Sequence, residues 1–240
     1  MQQIIQKCFL LFTFISLYSC MAHTQTIKGN KNITTTTRLQ NSSFSAIDAS
    51  AIGNITLEQG DVSAVTVETD DNIQEHIITV IKENTLCIYT KGSIQTHKCN
   101  VKITCPDLHK FIAKSCGNIN SSGILSFPDM AIHAKSIGNM TLQLQTDHLN
   151  MDINSIGNCS LEGKAKNAEI NVKSINTLQA FNCIIDTLNI YGSSLNSIRI
   201  HVLKELSVEV RSAASIQLKG KPAIKKLKLE SAASFKQLDQ

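Results

Sequence analysis

Apolar and polar residues alternate with a period of two through most of the chain, and the alternation recurs at a regular interval. The clearest markers are SIGNMTL beginning at Ser136, SIGNCSL at Ser155 and SINTLQA at Ser174. Weaker copies begin at Ser115, Ser194, Ser212 and Ser231. Successive copies are 21, 19, 19, 20, 18 and 19 residues apart. Because period-two alternation is typical of β-strands, the chain is predicted to consist of short strands arranged in a repeat.

The aligned copies share apolar columns. The fifth position of the motif holds Ile119, Met140, Cys159, Leu178, Ile198, Ile216 and Phe235. The seventh position holds Leu142, Leu161, Ala180, Ile200 and Leu218 in the middle copies. The fourth and second residues before the motif serine are mostly apolar too, as in Met151 and Ile153. A single repeat cannot bury its own apolar side, whereas stacked repeats place like residues over like in one core.

This pattern predicts an all-β fold, a right-handed parallel β-helix or β-solenoid with coils of about 19 residues. A leucine-rich repeat has a similar period, but its characteristic leucine spacing is absent. An antiparallel sandwich would require neither equal steps nor aligned columns. We therefore expect regular coils over residues 111–238.

The residue types of the motif predict a corner, where the chain bends between two strands. The motif serine has the inward parity of Ile153, and its hydroxyl suits a tight bend. The third position is often glycine or asparagine, which tolerate positive φ. The fourth position predicts a polar ladder between coils. The expected structural corner ladder consists of Ser115, Ser136, Ser155, Ser174, Ser194, Ser212, Ser231, Asn118, Asn139 and Asn158.

A row of serines does not by itself predict catalysis. A nucleophilic serine needs a base within reach, and no histidine recurs with the repeat. We therefore assign no catalytic residue. The polar ladder has two interpretations: it presents a surface to a glycan, or it holds the coils in register.

Residues 27–110 repeat less regularly and are expected to form a β-rich N-terminal cap with the first irregular coils, continuous with the coils that follow. An isolated motif copy, SAIGNITLEQG, begins at Ser50. Strands are predicted over 62–69, 77–81, 85–90 and 100–104, with a hairpin turn at KEN, residues 82–84. A cap is needed because the terminal coil of a solenoid otherwise exposes an unpaired edge.

Residues 1–22 have the features of an export signal. One lysine precedes an apolar run from Phe9 to Leu17, which suits a signal-peptide core. LYSC resembles a bacterial lipobox, in which Cys20 would be lipidated; alternatively, CMA precedes a cut at His23. We expect an exported protein in the periplasm or outer membrane, with the cell surface or secretion as the less favoured destinations.

Composition and charge narrow the class of protein and of its partners. The chain of 240 residues is 42% hydrophobic and 18% charged, which is typical of a globular protein, and its net charge is +4. Basic residues are dense from Arg211 onward, which indicates either a solvated end or a contact with an anionic partner. No aromatic residues are interleaved with them, so no nucleic-acid partner is expected.

The chemistry-bearing residues do not assemble into a recognisable site. The six cysteines beyond the signal allow fifteen disulfide pairings, which the sequence leaves open; they are Cys87, Cys99, Cys105, Cys116, Cys159 and Cys183. We expect Cys159, in an apolar column, to be a small buried residue. The histidines are scattered, so neither a metal nor another cofactor is expected. Asp70, Asp71 and Glu75 cluster in one predicted loop.

Three segments carry a family resemblance. IKGNKNITTTTRLQNSSFSAIDASAIGNITLEQG (27–60), VTVETDDNIQEHIITVIKENTLCIY (65–89) and VKITCPDLHKFIAKSCGNI (101–119) resemble the opening of the bacterial family named putative auto-transporter adhesin, head GIN domain. The resemblance extends over about residues 27–238. It implies an exported β-solenoid of Gram-negative bacteria, with a signal peptide or a lipoprotein tether. It carries over no catalytic or ligand-binding residues.

The expected function is that of a non-enzymatic cell-envelope protein, an adhesin or binding module whose β-solenoid surface binds a glycan or another envelope component. Membrane contact is expected only through an N-terminal lipid anchor. Two alternatives remain open at this point. One is a carbohydrate-active enzyme on the same scaffold, which would need facing carboxylates. The other is a purely structural envelope protein.

Overall fold

The computed structural model describes residues 26–211, 213–230 and 234–238. This part of the chain is almost entirely β-structure, with one 3-10 helix, Asp71–His76. The predicted all-β class is therefore confirmed. The strands are β1 (Ile27–Lys28), β2 (Ile33–Arg38), β3 (Ala46–Ser50), β4 (Asn54–Gln59), β5 (Ala64–Asp70), β6 (Ile77–Lys82), β7 (Thr85–Thr90), β8 (Ile94–Gln95), β9 (Cys99–Cys105), β10 (Lys110–Lys114), β11 (Ile119–Ser126), β12 (Asp129–Ile137), β13 (Met140–Gly192), β14 (Leu195–Val210), β15 (Ala213–Lys219), β16 (Ala223–Leu229) and β17 (Ser234–Gln237).

Successive motif copies lie side by side in one 15-stranded sheet; β1 and β8 form a separate pair. Neighbouring strands of the repeat run parallel and pair at the interval of the repeat. Ile119 pairs with Met140, which holds the same fifth motif position in the next copy. Ile137 pairs with Ile156, and both hold the second motif position. The copies aligned by sequence are therefore in register in three dimensions.

Each repeat contributes to two rows of stacked strands. Row A contains, in spatial order, β6, β7, β3, β10, β12, β13, β14 and β16. Row B contains β2, β5, β9, β4, β11, β13, β14, β15 and β17. β13 and β14 belong to both rows because each continues through corners from one row to the other.

The N-terminal strands are out of sequence order in both rows. β3 lies between β7 and β10, since Ala46 pairs with Thr85 on one side and with Lys110 on the other. In row B, β4 lies between β9 and β11 in the same way. The motif copy that is isolated in the sequence is thus inserted directly beside the copy at Ser115.

Antiparallel strands cover the N-terminal end of both rows. In row A, β6 pairs with β7 through a turn at Glu83 and Asn84, whose φ angles of 47° and 61° are typical of a two-residue hairpin turn. The turn predicted from KEN is therefore confirmed. In row B, β5 pairs with β9, and β2 pairs with β5. The parallel stack thus ends in antiparallel strands, with β6 and β2 outermost in the two rows.

The apolar columns form one continuous core. Fifth-position residues from Ile119 to Ile216 are 0% exposed, and Leu142 and Leu161 at the seventh position are at most 1% exposed. The last strands differ: Leu227 is 41% exposed. Within the part of the chain that is described, β16 pairs only with β14, and its residues 223–228 are exposed.

The predicted inward parity of the motif serine is wrong. Ser115, Ser136, Ser155, Ser174 and Ser194 are all exposed, whereas Ser212 and Ser231 lie outside the described residues. The buried position is the next one, occupied by Cys116, Ile137, Ile156, Ile175 and Leu195. The first three serines have positive φ, and this left-handed conformation interrupts the alternation of the strand, so that the following residue turns inward.

The reason predicted for the corner glycines is also wrong. Positive φ falls on the serines, at 53°, 56° and 60°, and Gly138 and Gly157 are not in that conformation. These glycines are needed because the next repeat passes close to them. A Cβ on Gly157 would lie 2.6 Å from the carbonyl oxygen of Gly138, to which the Gly157 N–H donates a hydrogen bond of 2.8 Å.

Candidate functional site: an outer groove on row A

The asparagines of the predicted ladder are joined by hydrogen bonds. The Asn139 side-chain amide donates to Asn118 Oδ1 at 3.2 Å, and that of Asn158 donates to Asn139 Oδ1 at 3.0 Å. The same oxygens also accept from the backbone N–H groups of Asn139 and Asn158, at 3.0 Å in each case. At this ladder the amide groups are thus engaged in contacts between repeats.

The ladder continues beyond the positions that the sequence alignment picked out. The Asn176 amide donates to Asn158 Oδ1 at 3.0 Å, and the Asn196 amide donates to Asn176 Oδ1 at 3.1 Å. Asn176 and Asn196 occupy the third motif position, where the earlier copies have glycine. The amide column therefore shifts by one residue when the glycine is lost. The role we assign to this ladder and its serines, holding the repeats in register, is a proposal.

Asp70 and Asp71, two of the acids that cluster in the sequence, accept hydrogen bonds from neighbouring segments of the chain. Asp70 is fully buried at the end of β5 and accepts hydrogen bonds from Thr96 Oγ1 at 2.6 Å and from the backbone N–H groups of His97 and Lys31 at 2.9 and 2.5 Å. Asp71 accepts from the Asn30 and Asn32 amides. These carboxylates fasten the N-terminal segment and the β8–β9 connection onto the sheet.

The bonds to Asp70 predict a pH dependence of stability. They favour the ionised carboxylate, the Thr96 hydroxyl most strongly, and hold the pKa of Asp70 below its usual range. A depressed folded-state pKa contributes stability above the pKa of an unfolded aspartate, about 3.9, and this contribution is lost as the pH falls. We expect Asp70→Asn to have a lower Tm than the wild type at pH 7 and a smaller loss of Tm between pH 5 and about pH 2. Thermal unfolding of both proteins across that range checks this, and parallel Tm profiles would contradict it.

The surroundings of the cysteines indicate a structural role. All six are free thiols, and Cys105, Cys116, Cys159 and Cys183 are buried. Burial raises the pKa of Cys159 to about 12 and that of Cys183 to about 11, so these thiols remain protonated and unreactive at neutral pH. The prediction that Cys159 is a small buried residue is confirmed. Within the ranges described, no group of histidine, cysteine and carboxylate side chains could hold a metal ion.

A groove of about 700 Å³ lies on the outer face of row A. Two columns of side chains line it, each with one residue per repeat. The first column comprises Ile112, His133, Asp152, Asn171, Tyr191 and Glu209. The second column comprises Lys114, Lys135, Asn154, Lys173, Ser193 and Arg211. We call this feature the row A groove.

The first column combines an aromatic ring with hydrogen-bonding groups. Tyr191 is 41% exposed, and Asn171 holds the same position in the preceding repeat. The carboxylate of Asp152 contacts His133 Nδ1 at 2.8 Å. Glu209 contacts the amines of Lys226 at 2.5 Å and Lys228 at 3.4 Å, which hold its pKa below the usual range. Both acids of this column are therefore paired with a basic group.

The second column carries positive charge. Lys114 contacts Asp48 at 3.6 Å. Among the side chains that are described, Lys135, Lys173 and Arg211 take part in no ion pair. Three lysines near the C-terminus are paired: Lys225 contacts Glu205 at 3.2 Å, Lys226 contacts Glu209, and Lys228 contacts Glu209 and also Glu230 at 3.0 Å. The basic segment from Arg211 onward is thus paired with acids only in part.

The sequence reasoning did not identify this groove, although a signal for it was present. Lys114, Lys135, Asn154, Lys173, Ser193 and Arg211 are the residues directly before the motif serines. They form a polar column as regular as the apolar ones. Cys20, the candidate lipidation site, lies outside the described residues.

Parallel strands paired at the interval of a sequence repeat, with an outer groove, define an all-β repeat protein with a candidate binding surface. The model of the family "Putative auto-transporter adhesin, head GIN domain" matches residues 43–222, and the chain belongs to that family. The resemblance stated from the sequence is therefore confirmed. Membership supports a role in adhesion or binding.

Solved structures of bacterial proteins share the fold. A putative adhesin from Bacteroides fragilis superposes with a TM-score of 0.82 at 26% identity, covering 88% of this chain and 100% of that chain. A putative lipid binding protein from Parabacteroides distasonis gives 0.68 at 18% identity, covering 90% and 100%. A putative adhesin from Parabacteroides merdae gives 0.64 at 18% identity, covering 89% and 99%. No curated protein matches the chain.

The family assignment indicates an exported protein. Within residues 26–211, 213–230 and 234–238, no helix is long and apolar enough to cross a membrane.

Proposed function

We propose that this protein is a non-enzymatic cell-envelope binding protein of the adhesin kind and that the row A groove binds a carbohydrate chain, either a glycan or another envelope component. The observation that carries the proposal is the exposed ring of Tyr191 in a groove that also presents the Asn154 and Asn171 amides. A sugar ring offers an apolar C–H face that stacks on an aromatic ring, and hydroxyl groups that bond to amides.

The proposed scaffold for this groove is a right-handed parallel β-helix. In support, parallel neighbours pair residues that hold the same motif position in successive copies, as Ile119 does with Met140 and Ile175 with Leu195. A parallel connection between neighbouring strands is right-handed in nearly all sheets. On such a scaffold the groove is a straight channel across the strands, open at both ends to a long polymer.

A binding role fits the charges in the groove better than glycoside hydrolysis does. A glycosidase needs a carboxylic acid whose raised pKa keeps it protonated, facing an ionised one. Lys226 and Lys228 instead lower the pKa of Glu209 and keep it ionised. Asp152 is paired with His133. Glu209 is therefore not placed as the protonated partner.

The proposed location is the periplasm or the outer membrane, with a lipid tether at Cys20. Support comes from family membership and from the LYSC sequence. Mass spectrometry of the mature N-terminus distinguishes a lipidated Cys20 from a cut before His23.

Replacing Tyr191 with alanine is expected to weaken carbohydrate binding by roughly three- to tenfold, since aromatic packing contributes about 0.5–1.5 kcal/mol. The measurement is a glycan array with the purified protein, followed by calorimetric titration of the ligands that bind.

The control is Leu203→Ala, because Leu203 is a comparably exposed apolar residue, at 45%, outside the groove. We expect the control to bind like the wild type. A blank array at high protein concentration, or equal binding by Y191A and the wild type, would count against the groove as the binding site. A purely structural envelope protein would give the blank array.

A further inference from the structure

Beyond Lys114, whose amine contacts Asp48, the second column of the groove places a cation on every second repeat. Lys135, Lys173 and Arg211 alternate with Asn154 and Ser193. Lys135 pairs directly with Asn154, and the Ser193 hydroxyl donates to the Lys173 carbonyl oxygen at 3.0 Å. Because paired strands are about 4.8 Å apart, successive cations stand about 10 Å apart along the groove.

These charges are available to a ligand. The three cations are exposed and, among the described side chains, form no ion pair, whereas the acids of the facing column are already paired with His133, Lys226 and Lys228. The cations of the groove that form no ion pair therefore recur at every second repeat. An anion placed at the intervening repeat would meet the uncharged Asn154 amide in place of a cation.

We propose that the row A groove binds a linear acidic polysaccharide that carries one anionic group on every second sugar. The inference rests on the carbohydrate-binding function proposed above. Two pyranose rings of an extended chain span about the distance of two strand spacings, so the chain lies across the strands and each acidic sugar meets one cation. The neutral sugars then face Asn154 and Ser193, and Tyr191 in the other column stacks against a ring.

The test compares four probes by calorimetric titration at low and at physiological salt. They are an octasaccharide alternating uronic acid with N-acetylhexosamine, an oligogalacturonate of equal length, a neutral cello-oligosaccharide, and vesicles of anionic phospholipid. We expect the alternating octasaccharide to bind most tightly and its affinity to fall as the salt concentration rises. Each of K135Q, K173Q and R211Q should weaken its binding by roughly two- to fivefold, the range of one exposed ion pair.

The matched control is the triple variant K82Q/K91Q/K164Q, which removes the same net charge from exposed positions outside the groove. It should bind the alternating octasaccharide like the wild type, whereas K135Q/K173Q/R211Q should lose affinity by about the product of the single effects.

Equal loss of affinity in both triple variants would overturn the inference, as would tighter binding of oligogalacturonate. Binding of the vesicles alone would also overturn it. If the neutral oligosaccharide binds and the groove triple variant has no effect, the charge inference fails while carbohydrate binding stands. If no probe binds and the glycan array is blank, both fail.

Discussion

Ile170→Asp is expected to lower the free energy of unfolding by about 4–5 kcal/mol, or to prevent folding. Ile170 is 0% exposed and lies in the core cluster together with Met151 and Ile190 at the same position of the neighbouring repeats. The change removes buried apolar surface and places a carboxylate where no partner can reach it. Urea denaturation followed by circular dichroism measures the effect.

The control for this prediction is Asn167→Asp, which introduces the same carboxylate into the same repeat. Asn167 is exposed, so the change should alter stability by less than about 0.5 kcal/mol. Equal midpoints for I170D and the wild type would show that the assignment of the inward face is wrong. Equal destabilisation by both variants would show that added charge, rather than burial, is responsible.

Gly163→Ala is expected to cost about 3 kcal/mol. Gly163 has a φ of +106°, and a Cβ there would lie 2.1 Å from the carbonyl oxygen of Leu144 in the preceding repeat. The substitution therefore combines an unfavourable φ with a clash against the backbone of the neighbouring repeat. The free energy of unfolding from urea denaturation is again the measurement.

Gly123→Ala separates these two causes. Gly123 has a φ of +85°, but nothing lies within 4 Å of a Cβ built on it. It should cost about 1 kcal/mol, the effect of the left-handed conformation alone. The difference between the two variants then measures the close approach of the repeats. If G163A costs no more than G123A, residue 163 does not pack on residue 144.

The apolar columns were predictable because burial in a stack of repeats requires apolar residues at the same position of each repeat. Met140, Cys159 and Leu178 occupy the same position of successive repeats, and all are fully buried. A chain that places like over like must repeat its apolar residues at the interval of the stack. The equal steps between Ser136, Ser155 and Ser174 are therefore sufficient to predict the register of strand pairing.

The corner was not predictable by extending the alternation. Regular alternation from Ile153 would turn Ser155 inward. The positive φ of Ser155 interrupts that alternation, and Ile156 is buried instead. Ala51, also at a positive φ of 53°, occupies the equivalent position, so the hydroxyl is not what sets this conformation. The glycine two positions after Ser155, Gly157, is explained only by its distance to the neighbouring backbone, which the sequence does not show.

The position of β3 and β4 within the stack could not be predicted from the sequence either. Ala46 pairs with Lys110, which is distant in sequence, and the chain between them forms β7 and β9, which stack on the opposite side of β3 and β4. No regular interval indicates such a pairing. The groove, in contrast, could have been found from the residues before the motif serines, had the polar columns been aligned as the apolar ones were.

The most direct measurement of the stacked register is the detection of hydrogen bonds between glycines of successive repeats by NMR. In protein labelled with ¹⁵N and carbonyl ¹³C only at its 11 glycines, through-hydrogen-bond couplings can arise only between glycine pairs. The account predicts couplings from the Gly157 N–H to the Gly138 carbonyl, from Gly138 to Gly117 and from Gly117 to Gly53, which are bonded at 2.8, 3.0 and 2.8 Å. Absence of all three couplings, or couplings that join other glycines, would contradict it.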